Sequence, residues 1–410
     1  MFRSVVLLSC MGAAGFVHSE SLSFDASLEL AVKASPDIAA QTAGIGAAQS
    51  ETVSAGTLPD PKLVVGIENL PVTGQEQWSL TRDFMTMRKV GLLQEVPNRG
   101  RRRAQEEAAT ATVARAEAER RVRVLTVRRD AALAWLNRYY FERRNTLFDA
   151  LERENRLFAD TVQAQLAGGR GMPVDVLGPK QEAAELADRR DELAGQWAQS
   201  KAALKRWVGP AADGPLAGDP PKLDVDSEHL RGHIHEHPQL AVFVPMMQAA
   251  QAEMHEAEAM KRPDWGVELD YGRRGAAFSD MVSLQFTIPL PLFNRTRHDA
   301  QIVAKREEVT RIEDEREGML RDHTEELDRD LAEYDTITRQ LARMREVRLP
   351  LARQKVDYQF ASYRAGKADL TAVLAARREL IDQELKEIEL DSQHAAVAAK
   401  LYFTYGEGAQ

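Results

Sequence analysis

Two hydrophobic rhythms alternate along the chain. Around residues 264–290, Trp265, Val267, Leu269 and Tyr271 alternate with Gly266, Glu268, Asp270 and Gly272. Val282, Leu284, Phe286 and Ile288 then alternate with Met281, Ser283, Gln285 and Thr287. Period two with one apolar face and one small, polar or acidic face predicts strands at 264–272 and 281–290, with lipid on one side and water on the other. An earlier pair is expected at 62–69, where Leu63, Val65 and Ile67 alternate with Val64, Gly66 and Glu68, and at 88–96. Four strands are too few to close a barrel. An open sheet edge in lipid leaves backbone groups unsatisfied, so the missing strands would need to come from other copies of the chain; the alternative is a β-hairpin lying on a soluble helical bundle.

Elsewhere the rhythm is helical. From Arg101 to Ala167 there is neither proline nor glycine. At 1.5 Å per residue that is a rod of roughly 100 Å. A second rod is expected from Arg297 to Ala365, interrupted by Gly318 and by Pro350, where a bend or a change of helix register is predicted. Rods of this length must pack laterally on partners. Glycine-containing turns at Gly169-Arg170 and Arg364-Ala365-Gly366-Lys367 send the chain back, giving antiparallel hairpins at 101–208 and 297–405. Shorter helices at 25–34 and 37–57 are separated by Ser35-Pro36 and stopped by Leu58-Pro59-Asp60-Pro61.

The two halves are copies. Asn98-Arg99 recurs as Asn294-Arg295, Gly169 as Gly366, Val176-Leu177 as Val373-Leu374 and Gly209 as Gly406, about 197 residues apart each time. Upstream, Ser35-Pro36 matches His237-Pro238, and the slightly larger spacing there places a deletion of about six residues in a surface loop of the second copy. The repeats are assigned to 20–215 and 216–410. Residues 1–19 read as a secretory signal, with Arg3 before an apolar run and a cleavage site after Ser19. The single cysteine, Cys10, lies in that run, and Leu7-Leu8-Ser9-Cys10 is alternatively a lipidation box.

Composition narrows the function. Only 6% of the 410 residues are aromatic, and 54 Lys+Arg against 63 Asp+Glu gives a net charge of -9, which argues against sequence-independent nucleic-acid binding. No phosphate-binding loop, zinc-protease helix motif or nucleophile elbow is present, so an enzyme is not expected and no cofactor is implied.

The duplicated order, Pro59-Asp60-Pro61 before the first strand, Gln94-Glu95-Val96-Pro97-Asn98-Arg99-Gly100 opening a basic helix, and Pro289-Leu290-Pro291-Leu292-Phe293-Asn294-Arg295 together resemble the TolC family of outer membrane efflux proteins. The last motif is most similar to the heavy-metal, Czc- and Cus-type, branch. The resemblance covers about residues 22–406. It implies a mostly α fold with a membrane β-barrel part: a homotrimer, each chain giving four strands to one twelve-stranded barrel continued by a helical periplasmic tunnel. It further implies a passive duct that docks a periplasmic adaptor protein and an inner membrane RND pump and exports heavy-metal cations. Export of drugs or solvents through the same architecture is the alternative. A periplasmic adaptor or a structural coiled-coil protein fits less well, because neither carries two tandem copies with amphipathic strands.

Three constellations are candidate sites. Glu68, Glu268 and Asp270 are placed on the water-facing wall of the barrel, about nine carboxylates in a trimer, favouring cations. Gly169, Arg170, Asp175, Arg364, Gly366, Lys367 and Asp369 mark the tunnel tip. There the acidic residues form rings in a trimer, or else complement helix N-termini. At Ala372 and Ala375 the chain departs from the aspartates that well-known family members carry. His229, His233, His235 and His237 crowd between the repeats as candidate metal ligands, although His237-Pro238 also fills the slot of a helix break. Met85, Met87, Met246, Met247, Met254 and Met260 are read as packing residues before any soft-metal relay.

Overall fold

The computed structural model describes residues 21–169, 171–290 and 294–406. The signal segment with Cys10, and Arg170 at the first turn, lie outside the described residues. In chain order the elements are β1 (Leu22–Ser23), α1 (Phe24–Ala34), α2 (Pro36–Ser54), β2 (Lys62–Glu68), β3 (Met87–Val96), α3 (Arg99–Ala167), α4 (Leu177–Val208) and β4 (Leu216–Ala217). There follow α5 (Ser227–Gly232), α6 (Pro238–Ala241), α7 (Phe243–Ala259), β5 (Trp265–Arg273), β6 (Met281–Thr287), α8 (Asp299–Arg343), α9 (Leu349–Arg364) and α10 (Leu370–Tyr405). The expected elements are present with ends shifted by a few residues, except that α8 runs through Gly318 without the expected interruption, and among the described helices none is long and apolar enough to cross a membrane. Each of two compact units draws on both repeats.

One unit takes residues 36–124 and 228–327. Its sheet is antiparallel in the order β2-β3-β5-β6. Register settles the faces. Leu63 lies opposite Leu92, Val65 opposite Val90, Leu92 opposite Leu269, Val90 opposite Tyr271, and Leu269 opposite Leu284. Leu63, Val65, Val90, Leu92, Leu269, Leu284 and Phe286 are all exposed. A continuous apolar face left open to the surroundings matches the alternation in the sequence.

The strand-to-helix junction explains Pro97-Asn98-Arg99-Gly100. The Asn98 side-chain oxygen accepts from the Arg101 backbone N–H at 2.9 Å, capping α3, while the amide donates to the Ala259 carbonyl at 3.1 Å and the Asp264 carboxylate at 3.1 Å. Arg101 adds an ion pair to Asp264 at 3.2 Å, so the start of α3 is tied to the start of β5. A Cβ on Gly100 would stand 3.3 Å from the Ala259 Cβ, a close approach that favours glycine.

Among the described residues, the other unit takes 21–35, 125–227 and 328–406. Its core gathers Leu22, Phe24, Trp135, Leu136, Tyr140, Leu204, Val208, Ile388 and Phe403. Trp135 is fully buried, donates its indole N–H to the Leu22 carbonyl at 3.1 Å and meets Phe24 edge-on at 5.4 Å. Arg138, 3% exposed, donates to the carbonyls of Ala212 at 2.6 Å and Gly214 at 2.7 Å, which satisfies a buried charge by hydrogen bonds. The predicted change of register at Pro350 takes the form of a π-helical segment, Met344–Arg348, ahead of α9. Proline lacks the N–H that an α-turn needs and its ring crowds the carbonyl four residues earlier, and a π-turn relieves both. The extra residue turns Met344 fully into a cluster with Leu341, Leu349 and Leu390.

Candidate functional site: barrel wall and hairpin tips

Glu68, Glu268 and Asp270 lie on the sheet face opposite the apolar one, and the structure brings them together around a residue the sequence reading passed over. The Lys89 ammonium sits 3.3 Å from Glu68, 2.8 Å from Glu268 and 2.8 Å from Asp270. Its position on β3 has the same parity as Gly91, and Gly91 faces Asp270 in register. An ideal Cβ at Gly91 would fall 1.8 Å from an Asp270 carboxylate oxygen. Glycine is therefore what lets the Asp270 side chain lie across the strand, 4% exposed. This cluster is thus less acidic than its carboxylates alone imply, with one ammonium against three carboxylates, and on the same face Lys62 pairs with Glu95. The signal for Lys89 was its parity within 88–96, a strand whose alternation Leu92-Leu93 obscures.

At the hairpin ends, Gly169 has φ 71° and Gly366 φ 69°. The Gly366 N–H donates to the Tyr363 carbonyl and the Lys367 N–H to the Ser362 carbonyl, both at 2.9 Å, and the Gly169 N–H donates to Leu166 at 3.0 Å. The second is a Schellman-type helix end, and at both turns the left-handed position goes to glycine because a side chain there would be strained. Asp175 accepts from the Met172 backbone N–H at 2.9 Å and lies 3.5 Å from the Tyr363 hydroxyl of the second hairpin. Burial first, and the Asp175 carboxylate after it, push the Tyr363 phenol above its usual range. Asp369 is the N-cap position of α10 but makes no side-chain cap bond, and Arg364, Gly366 and Lys367 are exposed beside it.

Behind the tips, the two return helices are joined by charge. Arg377 pairs with Glu182 at 2.9 Å, both largely buried, and its guanidinium lies 4.8 Å from the centre of the Phe158 ring. Farther along, Arg345 of the π-segment reaches Glu387 at 2.7 Å and Asp391 at 2.8 Å, and Arg143 reaches Asp391 at 2.5 Å. Single-residue scanning of the sequence gives no sign of this network, because its members come from three separate elements.

The histidines part company. His229 and His233 stack with ring centres 4.1 Å apart on the surface, and His235 is exposed on its own turn. His237 is buried, caps α6 by accepting from the Gln239 N–H at 3.2 Å, and stacks on His323 at 4.0 Å. Among the described residues no three His, Cys, Asp or Glu side chains are arranged to hold a metal ion.

The profile of the outer membrane efflux protein family matches residues 27–210 and 233–407, most of the chain and both repeats. The chain belongs to the outer membrane efflux protein family. Solved structures agree in fold. A membrane protein from Pseudomonas aeruginosa superposes with TM-score 0.79 at 17% identity, over 93% of this chain and 90% of that one. The channel protein CusC gives 0.76 at 17% identity over 93% and 92%, and the outer membrane protein VceC from Vibrio cholerae gives 0.73 at 20% identity over 93% and 96%. No curated relative matches the sequence. As a family member the chain has the TolC-like fold and is a passive outer membrane efflux channel with its helices in the periplasm, not an enzyme. The family forms trimeric channels that dock periplasmic adaptors and inner membrane RND pumps.

Proposed function

We propose that this efflux channel is the outer membrane duct of a heavy-metal exporter. The reading rests on the Pro289-Leu290-Pro291-Leu292-Phe293-Asn294-Arg295 sequence, most similar to the heavy-metal branch, and the barrel wall is compatible with it. That wall keeps two unbalanced negative charges per chain after Lys89 is counted against Glu68, Glu268 and Asp270. Three chains around one axis multiply the excess, raising the local concentration of cations while leaving no tight site to trap them. The exposed histidines, stacked in a pair rather than converging, are not assigned to metal binding. The hairpin tips, closed by Gly169 and Gly366 and carrying Asp175, Asp369, Arg364 and Lys367, are assigned to the adaptor contact.

The test is resistance. Removing the gene should sensitise its host to divalent or monovalent metal cations, and a plasmid copy should restore growth. Sensitisation to hydrophobic drugs with unchanged metal tolerance would move the channel to the drug-exporting branch without changing its architecture.

A further inference from the structure

The lipid-facing side of the sheet carries two arginines where an apolar band should end cleanly. Arg88 and Arg273 have the parity of Val90 and Tyr271, so both project from the apolar face, and they are directly opposite one another across β3 and β5. Both are exposed, and Ile67 flanks Arg88 on the other side. They stand at the end of the sheet away from α2 and α3, beside the loops 69–86 and 274–280, which is the end facing outside the cell. Like charges directly opposite on a sheet repel. Among the described residues neither guanidinium has a carboxylate within ion-pair distance. Asp280 attracts Arg273 at longer range, but its carboxylate already accepts from the Tyr271 hydroxyl and, at 3.2 Å, from the Arg274 N–H. Arg274 is itself spent on the loop, donating to the Ser279 carbonyl at 2.6 Å and the Phe84 carbonyl at 3.2 Å.

We propose that Arg88 and Arg273 together form a phosphate clamp for an anionic lipid of the outer leaflet. Guanidinium groups bind phosphate oxygens in pairs, and an anion between two of them turns repulsion into attraction. The position fits a headgroup: Tyr271, one step below, is an amphipathic ring of the kind that sits at a membrane interface, and the exposed band of Leu269, Leu284 and Leu92 lies beneath it. β3 and β5 are the inner pair of the sheet, so closure of a barrel through the edges β2 and β6 leaves the clamp untouched in every chain. The inference rests on the lipid-facing assignment of this sheet face.

The experiment uses the full-length trimer reconstituted in vesicles of phosphatidylcholine alone, with phosphatidylglycerol, or with a bisphosphorylated glycolipid of the lipid A type. Heat-dissociation of the trimer and native mass spectrometry of retained lipid are read for wild type, Arg88→Gln/Arg273→Gln and Arg88→Lys/Arg273→Lys. The clamp predicts that phosphate-bearing anionic lipid raises the dissociation temperature of wild type and is retained at one per chain. The Gln pair should lose both effects yet behave as wild type in phosphatidylcholine, and the Lys pair should keep part of them. Equal gain in wild type and the Gln pair overturns the clamp, and so does a gain reproduced by inorganic phosphate without anionic lipid. If the Gln pair does not assemble, loss of lipid retention in the Lys pair relative to wild type decides in favour and full retention decides against. A wild type that inserts into no vesicle overturns the lipid-facing assignment and the clamp together, whereas insertion without an arginine-dependent gain overturns the clamp alone.

Discussion

The two repeats build the same hairpin by different means. The first uses one uninterrupted helix of 69 residues, whereas the second uses 45 residues of α8, a five-residue π-segment and the 16 residues of α9. The first turn has its acidic residue engaged, since Asp175 accepts a backbone hydrogen bond, and the second leaves Asp369 without a cap bond. In the sheet, the first repeat supplies the only ammonium of the wall cluster, Lys89, and the second supplies two of its three carboxylates. Duplication thus preserves the backbone path, because helix ends and strand parity are enforced by glycines, prolines and burial. Charge and local helix register are free to diverge where the partner repeat can compensate.

Deleting one residue breaks the comparison most sharply. In α3, loss of Glu154 rotates everything after it by about 100°, taking Phe158 and Val162 out of a cluster with Tyr363, Leu370 and Val373. Each displaced core side chain costs about 2–5 kcal/mol, so no trimer should be recovered from membranes. Loss of Val347 together with Pro350→Ala should instead turn the π-segment into regular α-helix and keep the downstream register. That double change is expected to leave trimer yield close to wild type. Equal loss from both deletions would mean that the π-segment is not the spare residue of the second repeat.

The lipid face should not distinguish the repeats. Val65→Arg in the first and Leu284→Arg in the second should each cost ~2–4 kcal/mol near the bilayer midplane, while Gln285→Arg, on the wall side, should be tolerated. Yield of heat-modifiable trimer checks all three, and tolerance of the first two would contradict the assigned faces.

On the wall the repeats should act in opposite directions. Lys89→Met removes the cation that the first repeat gives the cluster and should raise cation preference in planar bilayers under a salt gradient. Glu268→Gln with Asp270→Asn removes the second repeat's acids and should lower it. Both effects should fade as salt screens the wall, and reversal potentials unmoved by either variant would show that a wide pore hides its charges.

The smallest expected effect is a dependence on pH confined to the second repeat. Burial pulls His323 below its ordinary range against the opposing pull of Glu326 and Asp322, with the His237 ring stacked on it. Burial likewise lowers His394, where Asp391 opposes it, Arg345 reinforces it and the Tyr334 ring is 4.8 Å away. A histidine depressed in the folded state binds its proton more readily when unfolded. Stability from these two is therefore complete above the ordinary value of about 6.5 and declines as pH falls below it. The midpoint of thermal unfolding should drop between about pH 6.5 and 5, and a combined His323→Gln and His394→Gln variant should drop less.

The chain's own residues determined the repeat, the strands, the rods and the breaks, because these follow from local rules. Ser35-Pro36 and His237-Pro238 stop helices by covalent geometry, Gly169 and Gly366 end them in a left-handed step, and Val65 or Leu284 declares its face by parity alone. The change of register at Pro350 was legible for the same reason. The partners of charges were decided by tertiary structure. Lys89 reads as one basic residue in an irregular strand, and only strand register sets it among Glu68, Glu268 and Asp270. His237 looks like one of four ligands in a row until the fold stacks it on His323 and leaves His229, His233 and His235 at the surface. Arg345 meets Glu387 and Asp391 only after a π-turn and a hairpin reversal have brought them together. Backbone conformation is set by neighbours within a few residues, whereas an ion pair is set by which distant segments packing brings within 4 Å.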